Sequence, residues 1–478
     1  MSKKILVFSS LILLIFFLIF SIPYNKIPAG FYTFLSLFRI LYFSIFIFYL
    51  WKLKEFNIIQ YGNGYKEFNI LINSLILVSF LIVIGLFTQF FSLIHFLLYL
   101  YLYRKNKAYY FGIEQSYHQI CGIFFIFANS NLKFSFDQVF EISNLFIFND
   151  TSSLNFLILS IAICLISGFY EKINSKVWTS GKALKIFLNL PHVKRLNYNN
   201  FFSKLISFKF LCYVALINQA MLFFLYFENL RIIFYFGELI FSILLISIAP
   251  FHFIGETFIL IFTFLISVDI LGLINNSQNI FYTRNISNFY YLDLILGFIL
   301  LNSFLSLFFK LPEFLNNINR YTLGLYPFSV YTETHIYGIR VFKVSGFLNE
   351  KLVYDNLFQV YNEKGYVGSK QKWMPRIIHA LTYKITDICE KRLKKIDKKD
   401  DETVLVNLFK NIINLNNDKI RNINSLKLYV KTINPNDEYQ NTDEWIDKDW
   451  HEVAIYNNEK TEPFSWTNLP TEAKIFYR

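Results

Sequence analysis

The chain has 478 residues, 54% of them apolar, with a mean hydropathy of +0.38. Phe fills 58 positions and Tyr 32, while only 17% of residues are charged, against about 25% in an ordinary soluble domain. That balance excludes a disordered chain, a nucleic-acid-binding tail protein and a simple soluble enzyme, and the net charge of +12 reads as a topology signal rather than a nucleic-acid footprint.

A membrane span needs about 20 apolar residues. In chain order the candidate spans are 5–22, 31–51, 69–88, 90–103, 116–130, 154–170, 205–227, 231–249, 253–274 and 291–310. The pair 69–88 and 90–103 could also be one long kinked segment, so the count is about eight to ten. The first span follows Lys3-Lys4 with no small-x-small cleavage site after it, and is expected to be a retained signal anchor within residues 1–30. Residues 31–319 form the main membrane part and 320–478 a soluble tail. The expected fold is an all-α multi-pass transmembrane helix bundle followed by a small α+β domain.

Basic residues cluster at Lys52/Lys54/Lys66, at Arg104/Lys105/Lys107 and at Lys172, Lys176, Lys182, Lys185, Lys194 and Arg195. The connection 131–153 instead carries Asp137, Glu141 and Asp150. With ten spans the basic loops, the amino terminus and the tail share one side, which the positive-inside rule places in the cytoplasm. An integral protein of a bacterial inner membrane is the expected setting, with the bilayer as its first partner and no nucleic acid.

The tail opens on a strand-like stretch, 336–344, with a turn at Ser345-Gly346. A second strand is expected over 353–361, with a turn at Glu363-Lys364-Gly365. Helices are expected over 375–396 and 403–414. From Asn434 on the chain reads as polar and irregular. Of the four cysteines, Cys121, Cys164 and Cys212 lie in apolar segments and Cys389 does not; none forms a CxxC pair, so neither a disulfide framework nor a thiolate metal site is expected.

An ionisable side chain inside a span costs several kcal/mol unless paired or wetted, so it marks a functional candidate. That filter returns Arg39, His95, His118, Lys172, Glu238, His252, Glu256 and Asp269. Arg39, too deep to snorkel, is expected to pair with an acid on a neighbouring helix. His95 and His118 read as hydrated or hydrogen-bonded residues near span ends. His252 and Glu256, four apart, share a helix face. With Glu238 and Asp269 they could form a proton relay or a fragment of a metal site, although no third ligand is evident. Lys172 ends an apolar run. A lysine there is either a routine topology mark or, held out of water, a base.

Several segments resemble one family, the HTTM membrane domain related to the vitamin K-dependent gamma-carboxylase. The resemblance runs through Leu37-Phe38-Arg39-Ile40-Leu41-Tyr42, through Ser116-Tyr117-His118-Gln119-Ile120-Cys121-Gly122-Ile123, and through Asn129-Ser130 with Phe134-Ser135-Phe136-Asp137. It is most specific at Ile166-Ser167-Gly168-Phe169-Tyr170-Glu171-Lys172-Ile173 with Trp178 and Gly181. It continues at Pro250-Phe251-His252 with Gly255 and at Tyr326-Pro327-Phe328-Ser329.

The resemblance implies that Lys172 is the base acting on a reduced quinone, with His252 as a helper or structural partner. It implies oxidation of that quinone coupled to carboxylation-type modification of a peptide or protein substrate; the ligand count by itself leads to no expected metal. Leu132 stands where the carboxylases carry a histidine. In the animal enzyme the soluble domain faces the lumen, opposite to the side the charge count assigns here. Two further readings stand beside this one. The chain could be a non-catalytic maturation, immunity or scaffold protein on the same fold. It could also be a transporter lined by Arg39, Glu238, Glu256 and Asp269, though no paired halves are visible.

Overall fold

The structure, a computed structural model, describes residues 27–28, 30–61, 65–105, 112–142, 150–184, 208–248, 252–276, 290–309, 311–323, 339–355, 361–362, 365–366, 402–403, 405–410, 423–433 and 450–467. The expected span 5–22 and helix 375–396 lie outside these residues.

The described chain is mostly helical. In order the helices are α1 (Phe31–Tyr61), α2 (Tyr65–Ile84), α3 (Thr88–Lys105), α4 (Gly112–Phe127), α5 (Phe136–Val139), α6 (Asp150–Asn174) and α7 (Lys176–Thr179). They continue with α8 (Phe208–Ala220), a 3-10 turn (Met221–Tyr226), α9 (Glu228–Ile248), α10 (His252–Asn276), α11 (Tyr290–Phe308) and α12 (Glu313–Thr322). Among the described residues four stretches are long and apolar enough to cross a membrane: Phe31–Trp51, Glu67–Ile84, Asp150–Asn174 and Gly255–Ile274. Shorter apolar helices run over Thr88–Tyr103, Ser116–Phe127 and Ile295–Ser306.

The apolar residues go all round these helices, which suits one face against protein and the other against lipid. On α1, Leu35, Phe38, Tyr42, Phe46 and Tyr49 are buried at helical spacing, while Leu37, Leu41, Phe48 and Trp51 are exposed. Segments 69–88 and 90–103 are two helices, not one kinked helix. Gly85 (φ 74°) and Phe87 (φ 44°) turn the chain between them. Only glycine fits at 85, because a Cβ there would run into the Ser135 side chain. Phe87 is held in its left-handed conformation by its N–H, which donates to Asp137.

Helix directions follow from side-chain contacts. Tyr32, near the start of α1, donates to Asp150, which opens α6. Gly30 lies against Leu271, near the end of α10. At the opposite end, Leu53, Phe68, Leu102 and Tyr103 belong to one buried cluster with Val344, Leu405, Phe409, Leu426 and Val453 of the C-terminal region. The sheet therefore packs at the end of the helices where α1 and α3 finish and α2 starts.

The strands are β1 (Ile339–Leu348), β2 (Lys351–Tyr354), β3 (Tyr361–Asn362), β4 (Gly365–Tyr366), β5 (Ser425–Ile433), β6 (His451–Asn457) and β7 (Phe464–Trp466). Five of them form an antiparallel sheet in the order β2-β1-β5-β6-β7, and β3 pairs with β4. Alternation puts Leu426, Leu428 and Val430 of β5 into the core.

Three expectations for the tail need correction. Ser345-Gly346 is not a turn but lies inside β1; the turn is Asn349-Glu350, both with positive φ (46° and 66°). The chain after Asn434 is not irregular throughout, since β6 and β7 complete the sheet. The order is not strands then helices, because the helical residues 405–410 are followed by three more strands.

Candidate functional site

Cα–Cβ bonds in a helix tilt toward its N-terminus. Lys172 sits in the last turn of α6, so its side chain runs back along the apolar segment rather than outward to the interface. Its Nζ donates to Gln219 Oε1 at 3.1 Å and lies 4.9 Å from the centre of the Trp178 ring. Gln219 Nε2 lies beside Gly168, one turn before Lys172. Buried Glu238 of α9 is within electrostatic reach of the amine. Its Oε1 accepts from Asn218 Nδ2 at 2.9 Å. Gly237 makes this possible: a Cβ at 237 would occupy the place of Asn218 Oδ1.

One amine, one carboxylate and two carboxamides from α6, α8 and α9 thus converge in an apolar setting. The buried indole N–H of Trp178 finds no acceptor among the described residues. Sequence reasoning found Lys172 and Glu238 through their charge. It missed Gln219 and Asn218, which are uncharged and stand in a segment with no periodic signal of its own.

The other predicted residues go elsewhere. Asp269 receives two bonds from Arg231 Nε, at 3.1 and 3.2 Å, with both side chains buried. Arg231 lies seven residues, about 10 Å of helix, from Glu238. Glu238 and Asp269 therefore serve different partners, and the relay expected to join them is not formed between these two. Glu256 is half-buried on α10. His252 opens the same helix, and its side chain lies outside the described residues.

Arg39 is fully buried and, rather than an acid, grips two backbone carbonyls, Ser130 O and Phe134 O, each at 2.6 Å. Asp137 is within electrostatic reach of its guanidinium. That carboxylate accepts from Phe87 N (2.6 Å), Thr88 N (2.9 Å), Thr88 Oγ1 (3.0 Å) and Asn131 Nδ2 (3.3 Å), which caps α3. Asn129 Nδ2 and Asn129 N donate to Asp150 Oδ1 at 3.0 and 3.2 Å. The segment carrying Leu132, itself half-buried, is thereby clamped between α1, α3 and α6.

His95 and His118, each 1% exposed, are hydrogen-bonded, one of the two forms expected for them. His95 Nε2 lies 3.1 Å from His118 Nε2, and His118 Nδ1 is hydrogen-bonded to the Tyr42 hydroxyl. Ser79 Oγ meets His95 Nδ1 at 3.2 Å. Phe46 stacks on His118 at 4.1 Å between ring centres, and Tyr99 lies 4.0 Å away. Both histidines were visible in the sequence, but their pairing was not. Among the described residues no group of three or more His, Cys, Asp and Glu could hold a metal ion.

No protein-family model, curated protein or solved structure matches the chain.

Proposed function

We propose that the chain is a multi-pass membrane enzyme of the HTTM and gamma-carboxylase kind, in which Lys172 is the base acting on a membrane-soluble reduced quinone. The observation that carries this reading is the inward course of the Lys172 side chain to Gln219 and Trp178, beside Glu238. A lysine that only marked topology would extend toward water.

A reduced quinone would supply an acidic hydroxyl, two electrons and a ring that partitions into lipid. The site's residues fit such a molecule. The unpartnered Trp178 N–H is a donor for a quinone oxygen. In its neutral form Lys172 donates to Gln219 and keeps its lone pair for the hydroxyl proton. Glu238 is placed to receive that proton's charge or to offset it. Asn218 holds Glu238 in position, and the apolar walls from α6 and α9 exclude water. A peptide or protein would be the second substrate. The sheet packs at the helix ends on the Lys172 side, which supports a role in presenting it, and the basic loops of that side support a cytoplasmic tail in a bacterial inner membrane.

Purified protein in detergent, given reduced menaquinone, oxygen and carbon dioxide, is expected to form quinone epoxide, and Lys172→Ala is expected to abolish it. Absence of epoxide from the unmodified protein overturns the reading.

Leu132 favours a second reading, a non-catalytic maturation, immunity or scaffold protein. The family's histidine position is apolar here, and its segment is fixed by Arg39 and Asp137 through structural bonds. On that reading deletion of residues 320–478 removes the cellular phenotype, while Lys172→Ala leaves it intact.

A further inference from the structure

The connection between α4 and α6 carries three acids, Asp137, Glu141 and Asp150. Two of them turn inward, Asp137 at 2% and Asp150 at 7% exposure. Much of what the connection turns outward is apolar. Phe134, Phe136, Val139 and Phe140 are all exposed, Val139 by 73%. Phe136 stacks on Phe140 with ring centres 5.8 Å apart, and Val139 is three residues from Phe136, so these three share one face of α5. Gln138 is exposed on the other side of that turn. Phe87 and Phe90 of the α2–α3 corner are exposed as well. The corner and α5 are joined, because Asp137 N donates to Gly85 O at 2.9 Å and Phe87 N donates to Asp137 Oδ1.

Three features set this patch apart from a loop in water. The first is depth. Arg39 lies eight residues, about 12 Å, inside α1. Its side chain leans back toward the helix start but spans less than that distance. The Ser130 and Phe134 carbonyls that it grips therefore lie within the depth of the apolar stretch Phe31–Trp51, not beyond its end. The second is the backbone. The N–H groups of Asp137, Gln138, Val139, Phe140 and Ile142 all donate inside the protein. Water would satisfy such groups, whereas hydrocarbon would not. The third is conformation. Phe87 and Phe134 stand at positive φ, 44° and 47°. A turn in water takes Gly or Asn there with less strain. A phenylalanine offsets that strain only where its ring leaves water.

We propose that residues 133–140, with Phe87 and Phe90, form a wedge seated in the headgroup–acyl boundary of the bilayer, in the leaflet away from the sheet. α1 and α3 start and α2 ends at that side of the helices. The rings reach roughly 5–10 Å into the boundary. Lys133, exposed beside Phe134, is long enough to meet lipid phosphate while the ring goes deeper. The occupant is lipid because the patch runs on into the lipid-facing side of the spans. Phe90 stands seven residues before Leu97, which is exposed on the same face of α3, and Leu77 and Phe80 are exposed on α2. Arg39 and Asp137 then share one task. They satisfy the carbonyls and N–H groups of an irregular segment so that it can sit at membrane depth.

The test uses the full-length protein in phosphatidylcholine vesicles, with a nitroxide on Val139→Cys or, separately, on Phe140→Cys. Both carry Cys389→Ser; Cys121, Cys164 and Cys212 are buried, so Cys389→Ser alone is expected to take no label. Asn458→Cys, on the exposed turn after β6, is the reference in water. Collision with oxygen, which concentrates in lipid, is compared with collision with a water-soluble nickel chelate. The oxygen-to-nickel ratio is expected to be several-fold higher at 139 and 140 than at 458. A ratio equal to that at 458 overturns the proposal and returns the segment to water. Low collision with both reagents also overturns it. Spin–spin broadening that disappears on dilution with unlabelled protein would then assign the patch to a second copy of the chain. Neither Lys172 nor a quinone enters this test, so its outcome is separate from that of the epoxide assay.

Discussion

Removal of the Asp269 carboxylate tests whether the charges of α9 and α10 are structural or line a path. Asp269→Leu leaves the Arg231 guanidinium buried with no carboxylate at its Nε. At 3.1 Å and an effective dielectric near 20, the direct attraction is about 5 kcal/mol. Loss of one partner from a buried pair costs about 3–5 kcal/mol, because the remaining charge stays out of water. Arg231→Met is expected to cost a similar amount. The double variant should lie within about 1–2 kcal/mol of the unmodified protein, since both desolvation penalties go together with the attraction. Thermal unfolding in detergent reads this as a drop of roughly 5–10 °C for each single variant and a return close to the starting value for the pair. If Asp269→Leu unfolds at the unmodified temperature, or if the double variant is worse than either single one, the pair does not hold α9 against α10 and this reasoning is wrong.

Other expectations follow from the same geometry. Gly237→Ala should push Asn218 off Glu238 and lower epoxide formation at least tenfold with little loss of thermal stability; unchanged turnover would remove Glu238 from the site. Asp137→Ala strips four donors of their acceptor and should destabilise the α2–α3 corner by about 2–4 kcal/mol, seen as faster hydrogen exchange at Phe87 and Thr88. In the sheet, burial and then the neighbouring Glu452 push the Tyr429 phenol up to about 12. The neutral phenol is favoured in the fold, so this contribution is fully present below about pH 10 and is lost as pH rises through the folded value. Ultraviolet titration should show that, among the late-ionising tyrosines, one moves down in Glu452→Gln.

Much of the tail was written in local pattern yet read only in part. Ser425–Ile433 alternates apolar and polar residues as plainly as Ile339–Leu348 does, and the two pair along their length. The turn was misplaced because Ser345-Gly346 carries turn residues, whereas Asn349-Glu350 does the turning. Strand residues accept Gly where a neighbouring strand supplies the hydrogen bonds, and that neighbour lies about eighty residues away in the chain.

Sequence alone determined that the chain carries long apolar helices, and gave the short list of charged residues in them. Apolar run length is a local property, and a charge inside such a run stands out without knowledge of any partner. The tertiary structure determined which of those charges meet. Arg39 was expected to find an acid and found carbonyls; Asp269 found Arg231; Lys172 found Gln219 and Trp178. The rotation of each helix about its axis sets these partners, and apolar residues on every side leave that rotation unspecified by the segment itself. His95 and His118 show the point most sharply. Each was a lone histidine in its own helix, and only the packing of α3 on α4 made them a pair.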